Sequence, residues 1–100
     1  MQRASLRDDS AAAVNSAGKH GVTALMVAAR VGALEGTTLL LTARALPDLQ
    51  SRHGSSALIM ACEEGHTQVA VRLLRNGASV DLMDERKRKP ALWYAASNGH

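Results

Sequence analysis

The chain contains no Phe, one Trp and one Tyr. It therefore lacks the aromatic platform on which single-stranded nucleic acid is usually stacked. Pro occurs twice in 100 residues, so long helical stretches meet few breaks. The one Cys, Cys62, excludes an internal disulfide and fits a reducing compartment. No apolar run approaches the roughly 20 residues of a membrane span. The basic segment Met1 to Arg7 has no apolar stretch behind it, and Asp8 and Asp9 follow at once. That pattern predicts neither a secretory signal nor a transit peptide, and hence a cytoplasmic or nuclear protein. Charge of one sign is not in short supply either: 12 Lys and Arg stand against 9 Asp and Glu. The net charge of +3 is a mild bias and no signature of nucleic-acid binding.

What is present is a hydrophobic fraction of 46%, dominated by Ala and Leu. Small aliphatic side chains suit closely packed helices. They are also arranged periodically. Gly21 matches Gly54, Ala24-Leu25 matches Ala57-Leu58, and Ala28 matches Ala61. Gly32 matches Gly65, Leu40-Leu41 matches Leu73-Leu74, Ala45 matches Ala78, and Asp48 matches Asp81, all at an interval of 33 residues. A third copy begins at Lys89 to His100, displaced by one inserted residue within Asp84 to Lys89. Ser10 to Asn15 echoes Asn76 to Asp81. The chain thus divides into the end of a partial unit (1–15), two units (16–48 and 49–81) and the first half of another (82–100). A fixed period of this size marks a solenoid whose units cannot bury their apolar faces alone.

The second unit reads most clearly. Ser56 can cap a helix by accepting backbone N–H bonds. Leu58, Ala61 and Cys62 then follow at helical spacing on one face. Gly65 supplies the left-handed conformation that ends the helix. His66-Thr67 opens a second helix with Val69, Ala70, Leu73 and Leu74 apolar, and Asn76-Gly77 ends it. An extended stretch leads to the next turn. Helices are expected over 23–31, 33–42, 56–64, 67–75 and 91–97, with a remnant of an earlier second helix around 2–8. Leu25, Ala28, Leu40, Leu58, Ala61, Leu73 and Leu74 are the expected core, with Met26 and Ile59.

A unit of this length and form resembles the ankyrin repeat. The family's helix start, T-P-L-H-x-A, corresponds here to Thr23-Ala24-Leu25-Met26-Val27-Ala28, Ser56-Ala57-Leu58-Ile59-Met60-Ala61 and Pro90-Ala91-Leu92-Trp93-Tyr94-Ala95. The family's Gly-His appears as Gly65-His66 and Gly99-His100, and its LLxxGA as Leu73 to Ala78. The resemblance implies an all-α solenoid of stacked helix-turn-helix units with extended, hairpin-like loops. Departures are specific. The motif's Pro is Ala in all three copies, and its His is Met26, Ile59 and Trp93, so apolar packing is expected to replace a polar network between units. In the first unit Gly36 and Thr37 stand where the second has Val69 and Ala70, and Arg44 stands where it has Gly77. Its second helix should be the softest element.

A catalytic constellation is not found. By the resemblance, His66 and His100 tie the turn between helices. His20 and His53 lie at successive loop tips with no Cys or carboxylate at ligand spacing, so no metal is expected. Cys62 is expected as a small core residue, not a nucleophile. No phosphate-binding glycine loop occurs, and no cofactor or small-molecule substrate is expected. In the ankyrin architecture the loops project as a row of fingers, which places residues one period apart side by side. The tips read Lys19-His20, Arg52-His53 and Arg86-Lys87-Arg88-Lys89. A basic edge of this kind fits a protein partner with an acidic surface. The plainer alternative is that loop tips carry charge because they are solvated.

The resemblance implies a non-enzymatic protein-interaction scaffold, part of a longer array. Two other classes stay open. One is a nucleic-acid or anionic-lipid binder acting through the basic tips. The other is the targeting portion of an enzyme whose catalytic domain lies outside these residues. Units without a polar cap are expected to be marginally stable alone or to associate end to end.

Overall fold

Thr23 is extended, with φ −95° and ψ 167°, and its Oγ1 accepts a bond from the Met26 amide at 3.3 Å. This side-chain cap satisfies one of the free N–H groups at a helix start and sets helix α1, Ala24–Val31. Met26 returns the bond: its Sδ accepts the Thr23 N–H at 3.4 Å. The thioether takes the acceptor role that a Glu or Gln plays in a capping box. The residue in place of the motif's His thus keeps a polar contact within the unit, whereas the expected apolar packing concerned contacts between units. Ser56 caps α3, Ala57–Glu63, in the same way through the Ile59 amide at 3.2 Å, but Ile59 has no acceptor to return. Helices α2, Leu34–Thr42, and α4, Thr67–Arg75, start without a side-chain cap bond. The computed structural model describes residues 13–83 together with Pro90, Ala91 and Trp93.

The turns of the two units repeat each other's backbone bonds. Ala33 N donates to Ala28 O at 2.9 Å, and His66 N donates to Ala61 O at 2.8 Å. Gly32 and Gly65 share the same left-handed φ of 77°. Ala45 N donates to Leu40 O at 2.9 Å, and Ala78 N to Leu73 O at 3.0 Å. Each second helix closes through a left-handed residue, Arg44 at φ 73° and Gly77 at φ 89°. The first unit thus keeps the backbone of the second although it carries a Cβ where glycine is free of strain.

Packing follows the period. First helix lies on first helix, α1 against α3, and second on second, α2 against α4, while α1–α2 and α3–α4 pair within units. The expected all-α stacked solenoid is what forms. No strand occurs among the described residues, only single antiparallel bridges from Gln50 to Ser56 and from Met83 to Pro90. The core runs through both units as Leu25, Ala29, Leu58, Ile59, Ala61, Val69 and Leu73, all buried, and Met26 is buried beside it. The expected helix limits hold within a residue. The segments 2–8 and 91–97 fall outside the described residues, apart from helical Ala91 and Trp93.

Two expected core residues differ. Leu40 is only half-buried, though it packs on the core. Leu74 is 43% exposed. Its equivalent Leu41 packs against the core where α4 follows α2. Among the described residues no further second helix follows α4, so Leu74 lacks that cover. The first unit's second helix forms in full, from Leu34 to Thr42, but differs from its counterpart in what it buries. Thr37 is fully buried at the position of Ala70, and its Oγ1 has no hydrogen-bond partner. Leu39 is 69% exposed, so apolar residues of α2 point both into the core and outward.

Candidate protein-binding edge

The loops that carry the basic residues are built by backbone bonds. Ser51 N donates to Ser55 O at 2.8 Å, and the Gln50 side-chain amide donates to Gly54 O at 2.6 Å. Gly54, at φ 83°, turns the chain between them. The same Gln50 amide reaches Met83 O at 3.4 Å, one period on. In the preceding loop Lys19–Gly21 forms a single 3-10 turn, with His20 left-handed at φ 62°. That unusual backbone aims the His20 carbonyl at the next tip, where the Arg52 amide donates to it at 2.8 Å. Glycine at position 21 favours this approach. A Cβ there would lie 3.1 Å from the Arg52 nitrogen, and its φ is 72°.

Side-chain clamps hold the loop bases in the same way. Asn15 Oδ1 accepts the Leu46 N–H at 2.6 Å while its Nδ2 donates to Arg44 O at 3.2 Å. One period later Asp48 Oδ1 accepts the Ser79 N–H at 2.7 Å. Asn15, Asp48 and Asp81 recur at the same register, so their spacing was the signal for this role, which sequence reasoning passed over. His66 also acts between units. Its Nε2 bonds to Arg30 O at 3.0 Å, reaching the turn of the preceding unit and not its own. The ring covers Gly32, where a Cβ would meet it at 2.6 Å.

Of the expected site residues, Lys19, His20, Arg52 and His53 are all exposed, and the two tips they occupy are tied to each other. No carboxylate among the described residues pairs with Lys19 or Arg52. Arg86, Lys87, Arg88 and Lys89 lie outside the described residues. Chemistry is scarce elsewhere. Cys62 is half-buried, and burial pushes its thiol pKa up, away from the reactive thiolate. No group of three or more metal-ligating side chains gathers among the described residues, and none of their helices is long and apolar enough to cross a membrane.

A family model described as ankyrin repeats, in three copies, matches residues 25–100. Over 78 residues, 78% of its length, the chain is 38% identical to the probable E3 ubiquitin-protein ligase XBOS31 of Oryza sativa subsp. japonica. Over 82 residues it is 37% identical to the putative E3 ubiquitin-protein ligase XBAT31 of Arabidopsis thaliana. It covers 18% of each of these relatives. It is also 36% identical over 78 residues to the ankyrin repeat and KH domain-containing protein mask-1 of Caenorhabditis elegans, of which it covers 3%. The chain therefore spans less than a fifth of each of these relatives. Ankyrin repeats imply protein–protein interaction, and the period, the stacked helix pairs and the family match together establish that this chain belongs to the ankyrin repeat family.

Proposed function

We propose that the chain is a non-catalytic docking scaffold whose tied loop tips present a basic edge to the acidic surface of a partner protein. The observation that carries this reading is the 2.8 Å bond from the Arg52 amide to the His20 carbonyl. It fixes the backbones of two cationic tips side by side, so that Lys19 and Arg52 act on one partner surface and not as separate loops. Exposed charges of one sign speed encounter with an opposite charge and lose that effect in salt. The units are assigned to 16–48 and 49–81, with 1–15 and 82–100 contributing parts of their neighbours.

The test is affinity capture on the immobilised chain, with each captured partner's affinity then measured across salt concentrations. Reversal of both tips, K19E with R52E, is expected to weaken binding and flatten its salt dependence. Equal affinity before and after reversal at low salt would remove the basic edge. Salt-steep binding to duplex DNA or to anionic vesicles, without any protein partner, would replace the protein-docking reading.

A second reading is favoured by the names of the two plant relatives. In it, these units recruit the substrate of a ubiquitin ligase. Deleting residues 16–81 from the gene product that contains them should then abolish ubiquitin transfer to the captured partner while sparing self-modification. Transfer that survives the deletion would exclude it.

A further inference from the structure

A groove of about 240 Å³ opens where the start of α2 meets the exposed face of α4, away from the loop tips. It is lined by Leu34, Thr67, Gln68, Val71, Arg72 and Arg75. Leu34 is half-buried and Val71 is 41% exposed, so both offer an apolar floor. Arg72 and Arg75 stand one helical turn apart, which sets neighbouring side chains about 5–6 Å apart at Cβ. No carboxylate lines the groove, and none among the described residues pairs with either guanidinium.

The unit's packing does not require these arginines. Their equivalents in α2 are Leu39 and Thr42, and Val71 corresponds to Thr38. Both threonine hydroxyls there are spent on their own helix, Thr38 on Leu34 O and Thr42 on Thr38 O, each at 2.9 Å. The cationic, apolar-floored groove is thus particular to the second unit. Cations near a helix C-terminus also complement its dipole, but that role needs no apolar floor beside them. Ligand pockets for small molecules run to about 300–1,000 Å³, so this groove suits one or two side chains of a peptide better than a whole small molecule. A guanidinium fork matches the geometry of a carboxylate.

We propose that this groove docks a short acidic segment of a partner protein, with an aliphatic side chain on Leu34 and Val71 and flanking carboxylates held by Arg72 and Arg75. The proposal shares with the function above only the premise that the chain binds proteins; it uses none of the loop-tip residues.

The test is an NMR titration of the full chain with an acetylated, amidated peptide, Glu-Leu-Glu-Asp-Leu-Glu, and with a twin carrying Gln and Asn in place of the acids. The acidic peptide is expected to shift the Nε–H signals of Arg72 and Arg75 and the methyl signals of Leu34 and Val71 along one binding curve. R72Q with R75Q, and R75Q alone as the milder change, should weaken binding, the pair by at least about tenfold. In K19E with R52E the same Leu34 and Val71 methyls should still shift to saturation, with affinity lowered only by the change in net charge. Inorganic phosphate is the control for a bare anion site. The proposal fails if the neutral twin binds as well, if shifts gather at Lys19 and Arg52 instead, if phosphate moves the arginines while the peptide leaves Leu34 and Val71 unmoved, or if no binding is seen. Failure with shifts at the tips would leave the basic-edge reading standing.

Discussion

Arg44 carries a cost that its equivalent, Gly77, avoids. A left-handed backbone costs a residue with a Cβ roughly 1–2 kcal/mol, and Arg44 sits at φ 73°. Arg44→Gly should therefore stabilise the chain by about 1 kcal/mol, read from urea melts, despite the greater entropy of glycine when unfolded. Thr37 offers a second gain. A buried polar atom without a partner costs about 1–3 kcal/mol, and Thr37→Val keeps the shape while removing the orphaned hydroxyl. A gain of about 1 kcal/mol is expected after the β-branched penalty common to both residues. Gly32 and His66 should be coupled. Gly32→Ala drives a Cβ into the His66 ring at 2.6 Å and also strains a φ of 77°. In a His66→Ala background the collision disappears and only the backbone strain of about 1–2 kcal/mol should remain. A double-mutant cycle showing no coupling would mean the ring does not lie on Gly32. Arg44 and Gly32 were legible in the sequence because their positions align with glycines one period on. The His66 contact was only half legible, since the resemblance named the residue but not its reach to Arg30.

At the scale of the element, α2 and α4 occupy equivalent places with different texture. Leu73 is fully buried, whereas Leu74 is 43% exposed. Leu73→Ala should cost roughly 2–5 kcal/mol, as for other buried leucines, and Leu74→Ala well under half as much. Similar costs would show that α4 is rotated from the position described. Periodicity placed both leucines inside, because a 3.6-residue pattern shows which face is apolar but not whether a neighbouring unit covers it. The helix limits were readable within a residue because Thr23, Ser56, Gly32 and Gly65 are strong start and stop signals. The Met26 return bond was not, since a thioether seldom serves as a cap acceptor. The Asn15 and Asp48 clamps reach partners 31 residues away, so their shared register marks the positions but not what they hold.

For the whole molecule the consequence of the period is a surface assembled from pieces that are distant in sequence. The candidate edge was legible as a list of cations and as their placement at loop tips. What joins the tips was not legible, because a backbone N–H and a backbone carbonyl have no residue signature. Gly21 is the nearest thing to one, and its advantage arises only when the Arg52 nitrogen lies 3.1 Å from a Cβ there. The groove on α4 escaped for a related reason. Arg72 and Arg75 look like an ordinary solvated helix end until Leu34 of the preceding unit is brought beside them.

The tie between tips can be measured directly by native-state hydrogen exchange at the Arg52 amide. Arg52 and His53 are both exposed residues at the apex of a loop, where amides ordinarily exchange fast. If successive units are stacked so that the Arg52 N–H is held by His20 O at 2.8 Å, this amide should be protected well beyond that of His53. An Arg52 amide that exchanges as fast as His53 would mean that the tips move independently, and the single basic edge would not exist.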